Sequence, residues 1–286
     1  MANHYRFFDY PPTMNDHTQF ILIGIPFDGD MTQNRGICTD APDVIRRISL
    51  DLSLTSESGI DLNTLHMADV GNVRKDITEP ELIQEIGKFL ENSHHTVPIF
   101  IGGSHNITYY TITSLLQQQN IPNLHYISLD AHLDCYDEWN GNKYTHCTVT
   151  RRIFETLGSN SKQVYVIGAR DIDLPELEWA HEVNLQFFRM YDTLKFDTSI
   201  KDKPPVYLSV DIDVFDPSVA PATGYPIPGG ISYRDYLEFL PQIVQHFTIV
   251  GLDFVEYSPI LDLPNKMTAF LIAKLIIETM VGIKKK

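Results

Sequence analysis

The chain has 286 residues, a formal net charge of -15, and hydrophobic and charged shares of 43% and 21%, a balance that suits a soluble protein built as one large α/β domain. Such an acidic chain argues against nucleic acid as a partner, and no apolar run reaches the length of a membrane span. Three cysteines, Cys38, Cys135 and Cys147, are too few and too odd in number for a disulfide framework. The opening MANHYRFFDYPP lacks the basic, apolar and small-residue succession of an export signal, so the cytoplasm is the expected compartment.

Taken in order, residues 20–25 (FILIGI) read as a buried strand closed by Pro26 and a turn at Gly29-Asp30, and residues 41–52 carry helical spacing through Val44, Ile45, Ile48 and Leu52. Residues 65–70 are a weaker strand. An amphipathic helix is predicted over 79–92, with Thr78 as N-cap and Pro80 in its first turn. Residues 97–101 form a strand ending in Gly102-Gly103-Ser104-His105, and the apolar run 107–116 reads as a helix. Residues 124–130, 164–168, 206–211 and 248–254 are further strands, and Ser232 with Asp235 makes a capping box for a helix to residue 246. The basic Lys284-Lys285-Lys286 end reads as a solvated tail. Strands alternating with helices predict a three-layer α/β/α domain over residues 1–286, with a mostly parallel central sheet. That topology puts ligands at the carboxyl ends of the strands. His105, Asp130, Asp211 and Glu256 each follow a different strand.

In an extended chain Asp211 and Asp213 share one side, about 7 Å apart, although an isolated D-x-D also reads as a helix cap with a solvated acidic turn. Asp130, His132 and Asp134 repeat the alternation. With His105 these residues make four carboxylates and two imidazoles, a set too negative to keep ionised without cations. Two divalent ions balance it. Oxygen and imidazole donors without thiolate suit Mn²⁺, with Fe, Co and Zn chemically admissible. Such a pair makes a nucleophile of water near neutral pH. A two-metal phosphoesterase would use a similar cluster but needs basic residues beside it, and none recur in these segments.

The segments GGSHN, SLDAHLD, SVDIDVFDP and GLDFVEYSP, with IGIPFD near the start and the ATGYPIPGG loop, resemble the ureohydrolase family of arginases, agmatinases and formimidoylglutamases over essentially the whole chain. The resemblance implies an arginase-like fold, a homo-oligomer (trimer or hexamer), and hydrolysis of a guanidino compound with release of urea. Carried over position by position, it makes His105, Asp130, His132, Asp134, Asp211 and Asp213 the ligands of two manganese ions per chain. It also makes His146 a proton relay working with Asp134, and Glu256 the holder of the guanidinium. Two departures stand out. The family's Gly-Gly-Asp-His-Ser is here Gly102-Gly103-Ser104-His105-Asn106, which removes an acid beside a ligand and bears on how His105 is oriented. The glycine usual after the loop histidine is Cys147.

The loop after DAHLD carries Asp137, Glu138, Trp139 and Tyr144, a mixture of negative charge and aromatic faces that favours an ammonium tail over a carboxylate. Agmatine, cleaved to putrescine and urea in polyamine biosynthesis, is therefore the expected small cationic substrate, with Asp137 among the groups that bind it. The alternatives are arginase or formimidoylglutamase activity at the same metal site, or a non-catalytic metal-binding relative.

Overall fold

The computed structural model describes residues 5–29, 37–91, 93–189 and 202–284. Its strands are β1 (Phe20–Ile25), β2 (Met67–Asn72), β3 (Val97–Gly102), β4 (His125–Leu129), β5 (Val164–Ala169), β6 (Gln186–Arg189), β7 (Pro205–Asp211) and β8 (Thr248–Val255). They form one sheet in the order β2-β1-β3-β8-β7-β4-β5-β6, and every pairing is parallel. The α-helices are α1 (Ala41–Ser49), α2 (Glu79–Leu90), α3 (Ile107–Gln118), α4 (Val149–Thr156), α5 (Leu174–Glu182), α6 (Tyr233–His246) and α7 (Met267–Lys284).

The strands are apolar on both faces because helices cover both. Along β7, Val206, Leu208 and Val210 pack with residues of α1, α6 and α7, while Tyr207 packs with α2, α3 and α4 on the other side. The period of two thus sorts one run into two cores. This is the expected three-layer α/β/α arrangement. None of the described helices is long and apolar enough to cross a membrane.

Capping follows the sequence where the chemistry is local. Asp235 accepts the Ser232 N–H at 2.7 Å and donates its own N–H to Ser232 Oγ at 3.2 Å, while Glu81 accepts from the N–H of Thr78 at 3.0 Å. Helix α1 stops at Ser49, short of the expected residue 52, with the Leu50 N–H turning back to Arg47 and Ile48 carbonyls. Strand β2 runs Met67–Asn72 instead of 65–70, because Leu65 closes a 3-10 turn, Leu62–Thr64, ahead of it. Asp30 of the first turn, Asn92 at the predicted helix end and Lys285 and Lys286 of the tail lie outside the described residues.

Candidate active site

Four neighbouring strands, β3, β8, β7 and β4, deliver the site from their carboxyl ends. The crossing after β3 is close. A Cβ on Gly103 would sit 1.7 Å from the Phe27 carbonyl oxygen, so only glycine lets the chain pass and bring in His105. His105 Nδ1 then lies 3.2 Å from Asp130, 3.0 Å from Asp134 and 3.2 Å from Asp211. His132 Nδ1 lies 2.9 Å from Asp213 and 3.6 Å from Asp130. These atoms form two groups that share Asp130: His105, Asp130, Asp134 and Asp211, fully buried, and Asp130, His132 and Asp213.

The convergence does not come from simple strand alternation. Asp211 ends β7 by accepting the Asp213 N–H at 2.9 Å, which starts a 3-10 turn, Ile212–Val214, the local bond that short acidic side chains favour. Asp134 likewise sits in a turn, with φ +50°. The six predicted ligands therefore meet through turns that follow the strands.

The electrostatics of the cluster call for cations. Burial, then Asp213 and Asp130, raises Asp211 well above the ordinary carboxylate value. Burial and Asp130 also raise Asp134. Burial opposes ionisation of Asp130 too, yet His105 and His132 hold it below the usual value. Among the described residues, His105 Nδ1 and Asp130 Oδ2 are buried with no hydrogen-bond partner, a combination that metal coordination satisfies. Oxygens and imidazoles without thiolate fit hard or borderline divalent ions.

Ser104 makes no side-chain hydrogen bond, and His105 is braced elsewhere. Its Nε2 lies 3.1 Å from Ser209 Oγ, which donates to Asp253 at 2.6 Å, and Asp253 also accepts from Tyr207 at 2.8 Å. Asn106 donates to the Tyr144 carbonyl at 3.1 Å, tying in the loop that carries His146. Glu256, with φ +65°, accepts the His105 N–H at 2.6 Å. Burial pushes it up to about 7, with His146 and the His105 N–H acting the other way.

A cavity of about 170 Å³ opens from the cluster, lined by His132, Asp134, His146 and Cys147, by Tyr136, Trp139 and Tyr225, and by Asp171, Asp173 and Glu176. Asp137 is not among its lining residues. In place of the expected position at the substrate, it pairs with Arg152 at 3.0 Å, Arg151 at 3.5 Å and Lys143 at 3.7 Å, because the basic start of α4 captures the nearby carboxylate. Glu138 and Tyr144 also lie outside the lining, whereas Trp139 is part of it. The sequence reading missed Asp171, Asp173 and Glu176. Their signal was present: ARDID follows the strand ending at Ala169, a D-x-D after a strand like the one it recognised at Asp211.

A parallel α/β sheet whose carboxyl edge gathers aspartates and histidines beside an acidic cleft carries the donor set of a metal-binding enzyme. The description "Arginase family" matches residues 18–282. The chain is 31% identical to the agmatinase of Pyrococcus horikoshii over 264 residues, 89% of each chain. It is also 31% identical to the N(1)-aminopropylagmatine ureohydrolase of Thermococcus kodakarensis over 259 residues, covering 87% of this chain and 86% of that one. The crystal structure of agmatine ureohydrolase of Thermoplasma volcanium superposes with a TM-score of 0.79 at 31% identity, covering 94% of this chain and 90% of that chain. The chain belongs to the arginase family.

Proposed function

We propose that this protein is a binuclear manganese ureohydrolase that cleaves the guanidino C–N bond of agmatine, or of a closely similar guanidino-alkylamine, to release urea and a diamine. The observation that carries the choice of substrate is the cavity beside the cluster, where Asp171, Asp173 and Glu176 stand among Tyr136, Trp139 and Tyr225 and, among the described residues, no lysine or arginine takes part in the lining. An alkylammonium tail is matched by such a wall, and a carboxylate is repelled by it. Tail recognition falls on these acids, since Asp137 is engaged by Arg152.

In this reading His105, Asp130, Asp134 and Asp211 hold one ion, and Asp130, His132 and Asp213 the other. The bound pair supplies Lewis-acid chemistry that makes a nucleophile of water near neutral pH. Glu256 fixes the planar guanidinium through paired N–H bonds, so that water adds at its central carbon. Asp134 takes the proton from that water, and His146, which lines the same cavity, passes a proton to the departing amine as the C–N bond breaks. A cytoplasmic homo-oligomer, trimeric or hexameric, belongs to the same proposal.

The test is urea release from metal-loaded protein with agmatine, aminopropylagmatine, arginine and formiminoglutamate offered in parallel. The two amine-tailed substrates are expected to lead in kcat/KM, with Mn²⁺ the best activator. A lead for arginine or formiminoglutamate would overturn the substrate assignment.

A further inference from the structure

We propose that Tyr225 is a positioning residue that holds His146 in its working orientation, an inference that rests on the relay given to His146 above. The Tyr225 ring stacks on the His146 imidazole, with centroids 5.8 Å apart and planes 24° from parallel. Its edge meets His132 at 6.2 Å and 83°. One phenol ring thus stands between the loop histidine and a residue of the metal cluster, and all three line the cavity.

The two histidines reach this contact from different parts of the fold. His132 follows β4 directly, with its N–H bonded to Asp130 at 2.7 Å. His146 sits after a largely exposed loop, residues 137–144. The stacked aromatic face limits the planes the imidazole can take.

The wall is anchored independently of His146. Tyr225 belongs to a loop whose ends are joined by Asp216 N–H to Ile231 O at 2.9 Å and Ile231 N–H to Val214 O at 3.1 Å. The Asp216 carboxylate closes it further by accepting the Gly229 N–H at 2.8 Å. Gly230 packs so tightly at the closure that a Cβ there would lie 2.4 Å from the Phe215 carbonyl carbon. Across the loop, the Arg170 guanidinium donates to the carbonyls of Asp213 at 2.6 Å, Val214 at 3.2 Å and Ile227 at 2.7 Å. One planar cation thereby fixes the residue two places beyond Tyr225 to the backbone of Asp213. The tyrosine is thus set against the cluster by contacts that do not involve His146, and the His146 ring rests on it.

The proposal separates a role through His146 from a role as plain cavity wall. Tyr225→Leu is expected to lower kcat at saturating substrate about tenfold with both metals retained, and Tyr225→Phe, which keeps the stacking face, to lower it far less. In a His146→Asn background, Tyr225→Leu should lower kcat at saturating substrate no further, because residues that act through one another are not additive. In protein carrying ¹³C-labelled histidine, the His146 Cε1–H resonance, identified by its loss in His146→Asn, should shift in Tyr225→Leu and hold its place in Tyr225→Phe. An additive loss in the double variant, a Phe variant as slow as Leu, loss of a metal, or an unmoved His146 resonance would each overturn the proposal. The resonance reports on the stacking contact without turnover, so a parent enzyme that releases no urea would refute the reaction while the His146 shift still decides whether that ring rests on Tyr225.

Discussion

Glu256 accepts the backbone N–H of His105 at 2.6 Å, and the Glu256 N–H in turn donates to Gly103 at 2.9 Å. The side chain proposed to hold the guanidinium therefore also braces the turn that delivers a proposed metal ligand. Glu256→Gln keeps an oxygen acceptor for the His105 N–H but loses the charge. A charge-assisted bond to the substrate is worth about 3 kcal/mol at the upper end, so kcat/KM should fall about a hundredfold with an unchanged melting temperature. Glu256→Ala should lower the melting temperature as well. Equal melting losses in both variants would show that the charge, rather than the brace, holds the turn.

Metal stoichiometry follows from the sharing of Asp130 between the two groups. Asp130→Ala should leave less than one ion per chain by elemental analysis. Asp213→Ala, which touches only the outer group, should leave close to one. Two ions retained in the Asp213 variant would remove that residue from the ligand set.

The Ser209 bridge between His105 and Asp253 orients the imidazole without touching the cluster's open face. Supporting partners of this kind change metal affinity about 10–100-fold. Ser209→Ala should weaken binding of one ion by that factor in a chelator competition, and Ser209→Thr should recover part of it. Unchanged affinity in Ser209→Ala would reassign the bridge to packing.

Glu176 is pushed up to about 7 by burial, with the Cys135 N–H acting the other way. A raised acid stabilises the fold below the ordinary glutamate value of 4.5, and that contribution fades as pH climbs through about 7. Ionisation over the same window adds negative charge to the cavity, so KM for agmatine should fall between pH 6 and 8, by about threefold or more. Glu176→Gln should flatten both profiles. A KM slope that survives in the variant would place the titration elsewhere.

Legibility in the sequence followed the range of the interactions. The buried strands read directly, since both faces are apolar, and so did the caps at Thr78 and Ser232, which depend on residues three apart. Helices α4, α5 and α7 and the four-residue edge strand β6 were not predicted: α4 has only eight residues, α5 buries only Glu176 and Ala180, α7 is apolar around most of its circumference, and every residue of β6 is only partly buried, which leaves little alternating pattern to find. The six cluster residues were legible as a set, but their geometry rests on turns at Asp134 and after Asp211 that strand alternation does not contain. The role first given to Asp137 depended on its neighbours in sequence, whereas its partner Arg152 lies 15 positions away.

The order of strands also sets a sequence of events during synthesis. β1, β2 and β3 make one ribbon and β4, β5, β6 and β7 another, and β8 alone joins them by pairing with β3 and β7; Glu256, just after it, lies 151 positions from His105, whose N–H it accepts. At ordinary translation speeds the ribosome takes roughly 10–30 s to travel from one to the other. Until β8 is made, the inner edge of β3 and, once it forms, that of β7 have no partner, and His105 is separated from the three aspartates it meets, Asp130, Asp134 and Asp211. Completion of the His105 group therefore belongs to the last docking step, whereas Asp130, His132 and Asp213 follow β4 and β7, which pair directly; a nascent chain stalled before β8 would expose two open strand edges to its neighbours on the same message.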